Sequence, residues 1–339
     1  QDAESGKETL LAKNPKVNPS DYLVSSDGLE ILAVEYTDGT PEYQFINKEH
    51  PESKLYAGLM NAFPDHMVSF YGISRDGRFV LFRTYSDVDP GSYYLFDRDQ
   101  GKAKFLLAAM DWIKPEQMSP MRPISLKARD GTELQGYLTV PAGSSGKNLP
   151  MILHPHGGPF GIRDNWGFDP TVQFLASRGY AVLQLNFRGS GGYGSAFIEK
   201  GYKKWGTELI DDMTDAVNWV VAQGIADKNR LCTFGASYGG YAALQAVVRA
   251  VDALRAPGSG GTPRHALRKT FVGNGGHQRV VTAPHLQHGP RAIDEGLHHR
   301  PVPQVAPVAQ AAPLQDHTVW QRPRLHAAQM RPVGRSAQA

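Results

Sequence analysis

Gly235-Ala236-Ser237-Tyr238-Gly239 constrains this chain more than any other stretch. The pattern G-x-S-x-G places a serine on a strained turn between a strand and a helix, and it needs small neighbours because the chain folds back on itself there. The flanks agree with that setting. Leu231-Cys232-Thr233-Phe234 has strand character, and Tyr241 to Val248 contains neither Gly nor Pro and suits a helix. A helix starting there turns its free N–H groups toward the serine oxygen, and the Tyr238 N–H can donate to a developing oxyanion. Ser237 is therefore the candidate nucleophile. The bland alternative, a Gly-rich turn with an idle serine, explains the pentapeptide but not its context.

The surroundings of this turn predict an α/β domain over residues 120–249. Ile124 to Ala128, the Asp130-Gly131 turn and Leu134 to Val140 make a hairpin, and Pro150-Met151-Ile152-Leu153 is a short apolar strand. Asp169-Pro170 supplies an N-cap and an N1 proline for a helix that Gly179 stops, after which Tyr180 to Asn186 is a strand. Thr207 can cap a helix whose Leu209, Met213, Ala216, Val217 and Val220 share one face, and Arg230 to Phe234 returns as a strand. Alternation of this kind with short connections predicts a parallel sheet covered on both faces.

Three further motifs carry chemistry or imitate it. His154-Pro155-His156-Gly157-Gly158-Pro159 follows an apolar strand, and its glycines allow close backbone approach, so an N–H from Gly157 or Gly158 is the second candidate oxyanion donor. His154 and His156 share one side of an extended strand, yet no third metal ligand accompanies them, and no metal is expected. Gly189-Ser190-Gly191-Gly192-Tyr193-Gly194 fits the dinucleotide fingerprint G-x-G-x-x-G, but that fingerprint opens directly into a long helix, whereas Gly201 and several aromatics interrupt this stretch. No cofactor is expected. Asp211, Asp212 and Asp215 read as solvent-facing acids near a helix start and precede the nucleophile, where the triad acid of such a fold does not lie.

Residues 1–115 read as short strands with turn signals and no competing helical period. Ser25-Ser26-Asp27-Gly28-Leu29-Glu30-Ile31-Leu32 resembles Ser74-Arg75-Asp76-Gly77-Arg78-Phe79-Val80-Leu81, with the glycines 49 residues apart. That spacing suits four-stranded propeller blades, so the segment is expected to be a β-propeller fragment of about two blades. Two blades do not close a propeller, so either part of a longer precursor is missing, as the start Gln1-Asp2-Ala3-Glu4 without a Met suggests, or the segment is a small open sheet.

Residues 250–339 follow other rules. From Val251 onward eleven Lys and Arg face four Asp and Glu, although the whole chain carries a net charge of only +3, and ten prolines break every candidate helix or central strand. This low-complexity basic tail is expected to be largely disordered. Its abrupt start, inside the helix that should follow the nucleophile, is what an out-of-frame read of a GC-rich gene produces. Heparin or DNA binding through the tail is the non-enzymatic alternative, but no repeat or ligand spacing supports it, and no nucleic-acid partner is expected. Cys232 is the only cysteine, which excludes an internal disulfide framework. No run of apolar residues reaches the length of a membrane span, so no membrane partner is expected, while compartment and oligomeric state stay open.

Taken in order, His156-Gly157-Gly158-Pro159, the run Asn186-Phe187-Arg188-Gly189-Ser190-Gly191-Gly192-Tyr193-Gly194 and Gly235-Ala236-Ser237-Tyr238-Gly239-Gly240-Tyr241 resemble the prolyl oligopeptidase family of serine peptidases, in its acylaminoacyl-peptidase and dipeptidyl-peptidase-like branch. The resemblance covers residues 120–249 and implies an incomplete α/β-hydrolase domain behind a propeller. It implies that Ser237 acylates on short peptide substrates while Tyr238 and the Gly157-Gly158 loop stabilise the tetrahedral intermediate. It also implies a later Asp and His. Here the chain departs from the family, because His288, Asp294, His298, His299, Asp316, His317 and His326 lack the expected strand and loop settings. The triad Asp and His are not identifiable, and the chain is expected to be inactive. A carboxylesterase on the same fold is the catalytic alternative.

Overall fold

The computed structural model describes residues 6, 8–255, 269–274 and 277–281. Three sheets organise them. The first holds β1 (Pro19–Val24), β2 (Ile31–Asp38) and β3 (Thr40–Phe45), all antiparallel. Then comes α1 (Pro51–Asn61), followed by an antiparallel meander of β4 (Met67–Ile73), β5 (Phe79–Tyr85), β6 (Ser92–Asp97) and β7 (Lys102–Ala108).

The repeated sequence folds the same way twice. Ser25 and Ser74 each bond through Oγ to Asp27 and Asp76 two residues on, and each Oγ also accepts the N–H five residues on, from Glu30 and Phe79. Gly28 and Gly77 close both turns at φ +76° and +73°, a region a side chain resists. One expectation for this region fails. Residues 51–61 are a helix, with Pro51 in the first turn and the His50 ring accepting the Glu52 N–H. Tyr56 and Leu59 sit one turn apart and bury against Leu32, Val68, Val80 and Phe82, so the two small sheets share a core across the helix. Its signal was present as Pro51 and Glu52 after a capping residue, but only two buried apolar positions marked its face.

The third sheet has seven strands in the order β14-β13-β12-β10-β11-β9-β8. Its members are β8 (Met121–Lys127), β9 (Glu133–Thr139), β10 (Leu149–Leu153), β11 (Ala181–Asn186), β12 (Ala226–Ala236), β13 (Lys269–Asn274) and β14 (His277–Val281). β11, β10, β12 and β13 run parallel, while β9 and β14 pair antiparallel at the flanks. Every residue of β11 is buried, as a strand covered on both faces requires. The helices are α2 (Pro170–Ser177), capped by the Asp169 carboxylate on the Thr171 and Val172 N–H groups, the short α3 (Ser195–Glu199), α4 (Glu208–Ala222) and α5 (Tyr238–Arg255). The buried face of α4, Leu209, Met213, Ala216 and Val220, packs on Leu183, Leu185 and Met151. Burial of Leu209, Met213 and Val220 contributes roughly 1.5–3 kcal/mol each.

Three further expectations need correction. Thr207 occupies the cap position of α4 but makes no cap hydrogen bond, because its hydroxyl goes to Lys204 O and Glu208 instead. The three aspartates of α4 do not face solvent as expected. Asp212 is fully buried on Arg188, Asp215 takes Arg129 at 2.7 Å, and Asp211 takes Arg129 and Arg249. Regular structure also does not end at Arg249. α5 continues to Arg255, and β13 pairs with β12 through Cys232–Ala236 before β14 pairs with β13. The sheet edge supplies backbone partners that tail composition alone does not reveal. The remainder of the segment expected to be disordered, including residues 282–339, lies outside the described residues.

Candidate active site

The site sits at the C-terminal end of β12, in the middle of the parallel strands, where open α/β sheets present their crevice. Ser237 is the single residue between β12 and α5. It is exposed and has φ +56°, one of three non-glycine residues with positive φ among those described. A serine kept in the left-handed region costs of order 1–3 kcal/mol, so its surroundings must over-determine it. They do so through glycine. A Cβ on Gly235 would lie 2.6 Å from the Gly239 carbonyl carbon, and one on Gly239 would lie 2.2 Å from Pro155 O. Neither distance is compatible with a side chain, so the turn closes only with glycine at both positions.

Tyr238 is the first residue of α5, so its N–H has no partner within the helix. Its ring is buried between Phe187 and Trp205, and its hydroxyl donates to Trp205 O at 2.8 Å. Burial pushes the Tyr238 phenol well above its ordinary value, so it stays neutral. The other candidate donor loop lies against the serine: a Cβ on Gly157 would be 3.6 Å from Ser237 Cβ and 4.0 Å from its Oγ. Gly158 follows at φ +114°, with Ile162 beside it. Ser237, Tyr238, Gly157 and Gly158 are thus brought together by two loops at adjacent strand ends.

The two histidines flanking this loop are both occupied elsewhere. His154 bonds through Nδ1 to Phe234 O at 2.7 Å and stacks on the Phe234 ring. His156 bonds through Nδ1 to Gly157 O at 2.7 Å and through Nε2 to Ser190 Oγ at 2.9 Å, with its ring stacked on Phe187. Burial holds the His156 imidazole down at about 4, so it is neutral at physiological pH. Among the described residues no group of three His, Cys, Asp or Glu gathers as a metal site, and no side chain bonds to Ser237 Oγ. The later His and Asp residues weighed for a triad, from His288 onward, lie outside the described residues.

The Gly189-to-Gly194 run packs protein against itself. A Cβ on Gly189 would meet Phe160 at 3.0 Å, one on Gly191 would meet Gly161 O at 2.4 Å, and α3 beyond it has only five residues. Arg188 at its base gives its backbone N–H, Nε and Nη2 to Asp212 at 3.0, 2.8 and 2.6 Å and its Nη1 to Asp130 at 2.8 Å. Asp212, then Asp130, raise the Arg188 guanidinium further above its ordinary value, while burial pushes the Asp212 carboxyl up against the pull of those donors. The sequence signal for these supports was the polar residues Gln184, Asn186 and Arg188 inside and just after an otherwise apolar strand.

An exposed, strained serine beside a helix N-terminus and a glycine loop can attack a carbonyl and hold the oxygen that turns negative. Comparison with known proteins gives the same direction. The prolyl oligopeptidase family matches residues 166–256. Dipeptidyl aminopeptidase BIII of Pseudoxanthomonas mexicana is 31% identical over 260 residues, which is 75% of this chain and 37% of the relative. Dipeptidyl peptidase family member 6 of Caenorhabditis elegans is 31% identical over 259 residues, 70% of this chain and 35% of the relative. Among solved structures, a puromycin-hydrolyzing peptidase of Mycobacterium tuberculosis aligns with a TM-score of 0.51 at 26% identity, over 67% of this chain and 35% of that one. The chain therefore spans a little over a third of the length of the curated relatives it matches.

Proposed function

We propose, from a chain whose residues 166–256 belong to the prolyl oligopeptidase family of serine peptidases, that Ser237 is the nucleophile of an enzyme that cleaves short peptides through an acyl-enzyme. The observation that carries this is the geometry of Ser237 itself: exposed, at φ +56°, with Gly157 against its side chain. In the first step Oγ adds to the scissile carbonyl carbon, and its proton passes through solvent, in place of an identified base, to the scissile nitrogen. The C–N bond then breaks, the amine leaves with a proton, and water hydrolyses the resulting ester. The N–H of Tyr238 and an N–H of the Gly157-Gly158 loop receive the negative oxygen of the tetrahedral intermediate.

The names of the relatives point to removal of dipeptides from peptide N-termini, and we extend that substrate class to this chain. The repeated Ser-x-Asp-Gly turn and the four-stranded meander β4–β7 support the reading of residues 1–115 as propeller blades, which would limit entry to small peptides. We read residues 120–256 as the front half of the hydrolase domain, the family match carrying it past Arg249, and residues 257–339 as a segment that does not follow the family. Its lack of a recognisable Asp and His leaves the Ser237 proton without a base, which costs several orders of magnitude in rate.

Labelling with a fluorophosphonate tests both parts. The expected outcome is slow labelling that disappears in Ser237→Ala. Fast labelling that disappears in the variant would show a working base, and labelling that persists in it would remove Ser237 from the role. Faster turnover of simple esters than of peptide anilides would favour the carboxylesterase.

A further inference from the structure

β11 is apolar except at Gln184 and Asn186, which are 3% and 0% exposed. Polar groups in a central strand need bonded partners, and both of these turn to one residue, Asp164, with Gln184 Oε1 left buried without a partner among the described residues. Asn186 Oδ1 accepts the Asp164 N–H at 2.8 Å, while its Nδ2 donates to Asp164 O at 3.0 Å and to the Tyr193 hydroxyl at 2.8 Å. Gln184 Nε2 donates to Asp164 Oδ1 at 3.2 Å. Asp164 Oδ2 is buried and has no partner among the described residues.

Asp164 lies seven residues after Gly157 in the loop, residues 154–169, that joins β10 to α2 and passes beside Ser237. Between Gly157 and Asp164 the Gly161 N–H donates to Gly189 O, and the Gly191 N–H donates to Ile162 O, both at 3.0 Å. The loop is thus pinned in its middle by backbone and at its outer end by the bonds of Asp164 to β11, next to Arg163, whose guanidinium donates to Thr37 O at 2.8 Å. We propose that Asp164 is a positioning residue for the oxyanion loop, its carboxyl and its peptide group together tying the loop's outer end to β11. The inference rests on Ser237 as the nucleophile.

The surroundings decide when the tie holds. Burial pushes the Asp164 carboxyl up to about 7. Asp169 from the start of α2 adds like charge, and Arg163 opposes it only weakly because its guanidinium lies over the Tyr193 ring and donates to Thr37 O at 2.8 Å. Tyr137 on β9 and Asp38 on β2, itself paired with Lys16, complete the ionisable groups around the Arg163–Tyr193 contact. Below about pH 7 the acid is neutral and seated. Above it, an anion with a single side-chain donor occupies a buried place, and the loop end loosens.

Asp164→Asn keeps the shape and stays neutral at every pH, so it separates charge from packing. Two rates are compared from pH 5.5 to 9: fluorophosphonate labelling, and amide hydrogen exchange over residues 157–164 corrected for the intrinsic pH dependence. The labelling ratio of Asp164→Asn to wild type should lie near one at pH 5.5 and rise several-fold by pH 9. Wild-type exchange should accelerate several-fold over the same range while the variant stays level. Equal exchange in the two proteins overturns the anchoring, and a constant labelling ratio overturns its link to the serine. Labelling that survives Ser237→Ala shows instead that the nucleophile reading has failed, and the exchange comparison still decides the tie. If Asp164→Asn does not fold, carbon-13 titration of the Asp164 carboxyl in the wild type replaces it, and a midpoint below about 5 overturns the proposal.

Discussion

Two serines of this molecule stand in Gly-rich turns after the two strands that flank β10, and they have opposite fates. Ser190 is fully buried and its hydroxyl is spent on His156 Nε2. Ser237 is exposed, carries a positive φ, and has no side chain bonded to its Oγ among the described residues. In the first turn glycine lets segments touch: Gly189 against Phe160 and Gly191 against Gly161. In the second, glycine lets one strained residue stand clear of the fold. Glycine density alone therefore says nothing about reactivity. What separates the two is whether the close contacts cover the serine or hold its backbone from behind.

The largest expected effect breaks the structural turn. Asp212→Ala leaves the Arg188 guanidinium buried with only Asp130 as a partner, and Asp130 is half exposed. Loss of one member of a buried, hydrogen-bonded pair costs about 3–5 kcal/mol. Urea denaturation should show that loss. A cost below about 1 kcal/mol would mean that water reaches Arg188 and that the turn is not held from this side.

The next effect breaks the reactive turn instead. Gly239→Ala puts a methyl 2.2 Å from Pro155 O and 3.3 Å from His156 O, both backbone atoms. The loop carrying Gly157 must move, at about 1–3 kcal/mol for the overpacking. Labelling of Ser237 should fall about 100-fold, because a shift near 1 Å in a catalytic constellation has that cost. An unchanged labelling rate would show that the contact between the two loops does not set the reactivity of the serine.

Much of this was legible beforehand. The strand-turn-helix around Ser237, the β8–β9 hairpin and the Asp169 cap followed from local patterns that tertiary packing reinforces. What was not legible depended on partners distant in sequence. Asp212 reads as a helix-start acid until Arg188, 24 residues earlier, is placed beside it. Asn186 and Gln184 read as interruptions of an apolar strand until Asp164 gives them a reason. α1 was hidden because its buried face is short, and β13 because a Pro-rich average over residues 251–339 conceals the local run Lys269-Thr270-Phe271-Val272, which suits a strand. The triad partners sought for Ser237 were not legible for a different reason: His288, Asp294 and the later His and Asp residues stand in Pro-rich sequence without the strand and loop settings expected of them, and they lie outside the described residues.

The smallest effect sharpens the comparison by removing the covered serine. Gly157 O can only accept, so His156 Nδ1 carries the proton of the neutral ring, and Ser190 Oγ–H donates to the lone pair on Nε2. Ser190→Ala leaves that buried nitrogen unpaired, at about 1 kcal/mol. Burial holds the His156 imidazole at about 4, below the 6.5 of the unfolded chain. As pH falls below 6.5 the unfolded state binds a proton that the native state lacks, and this contribution to stability declines until about pH 4. Wild type and Ser190→Ala should lose it in parallel, so the gap between their denaturation free energies should be the same at pH 7.5 and 5.5. A gap that changes between those two values would mean that His156 already takes its proton in the folded protein, and that the loop beside Ser237 is held by a charged ring and not a neutral one.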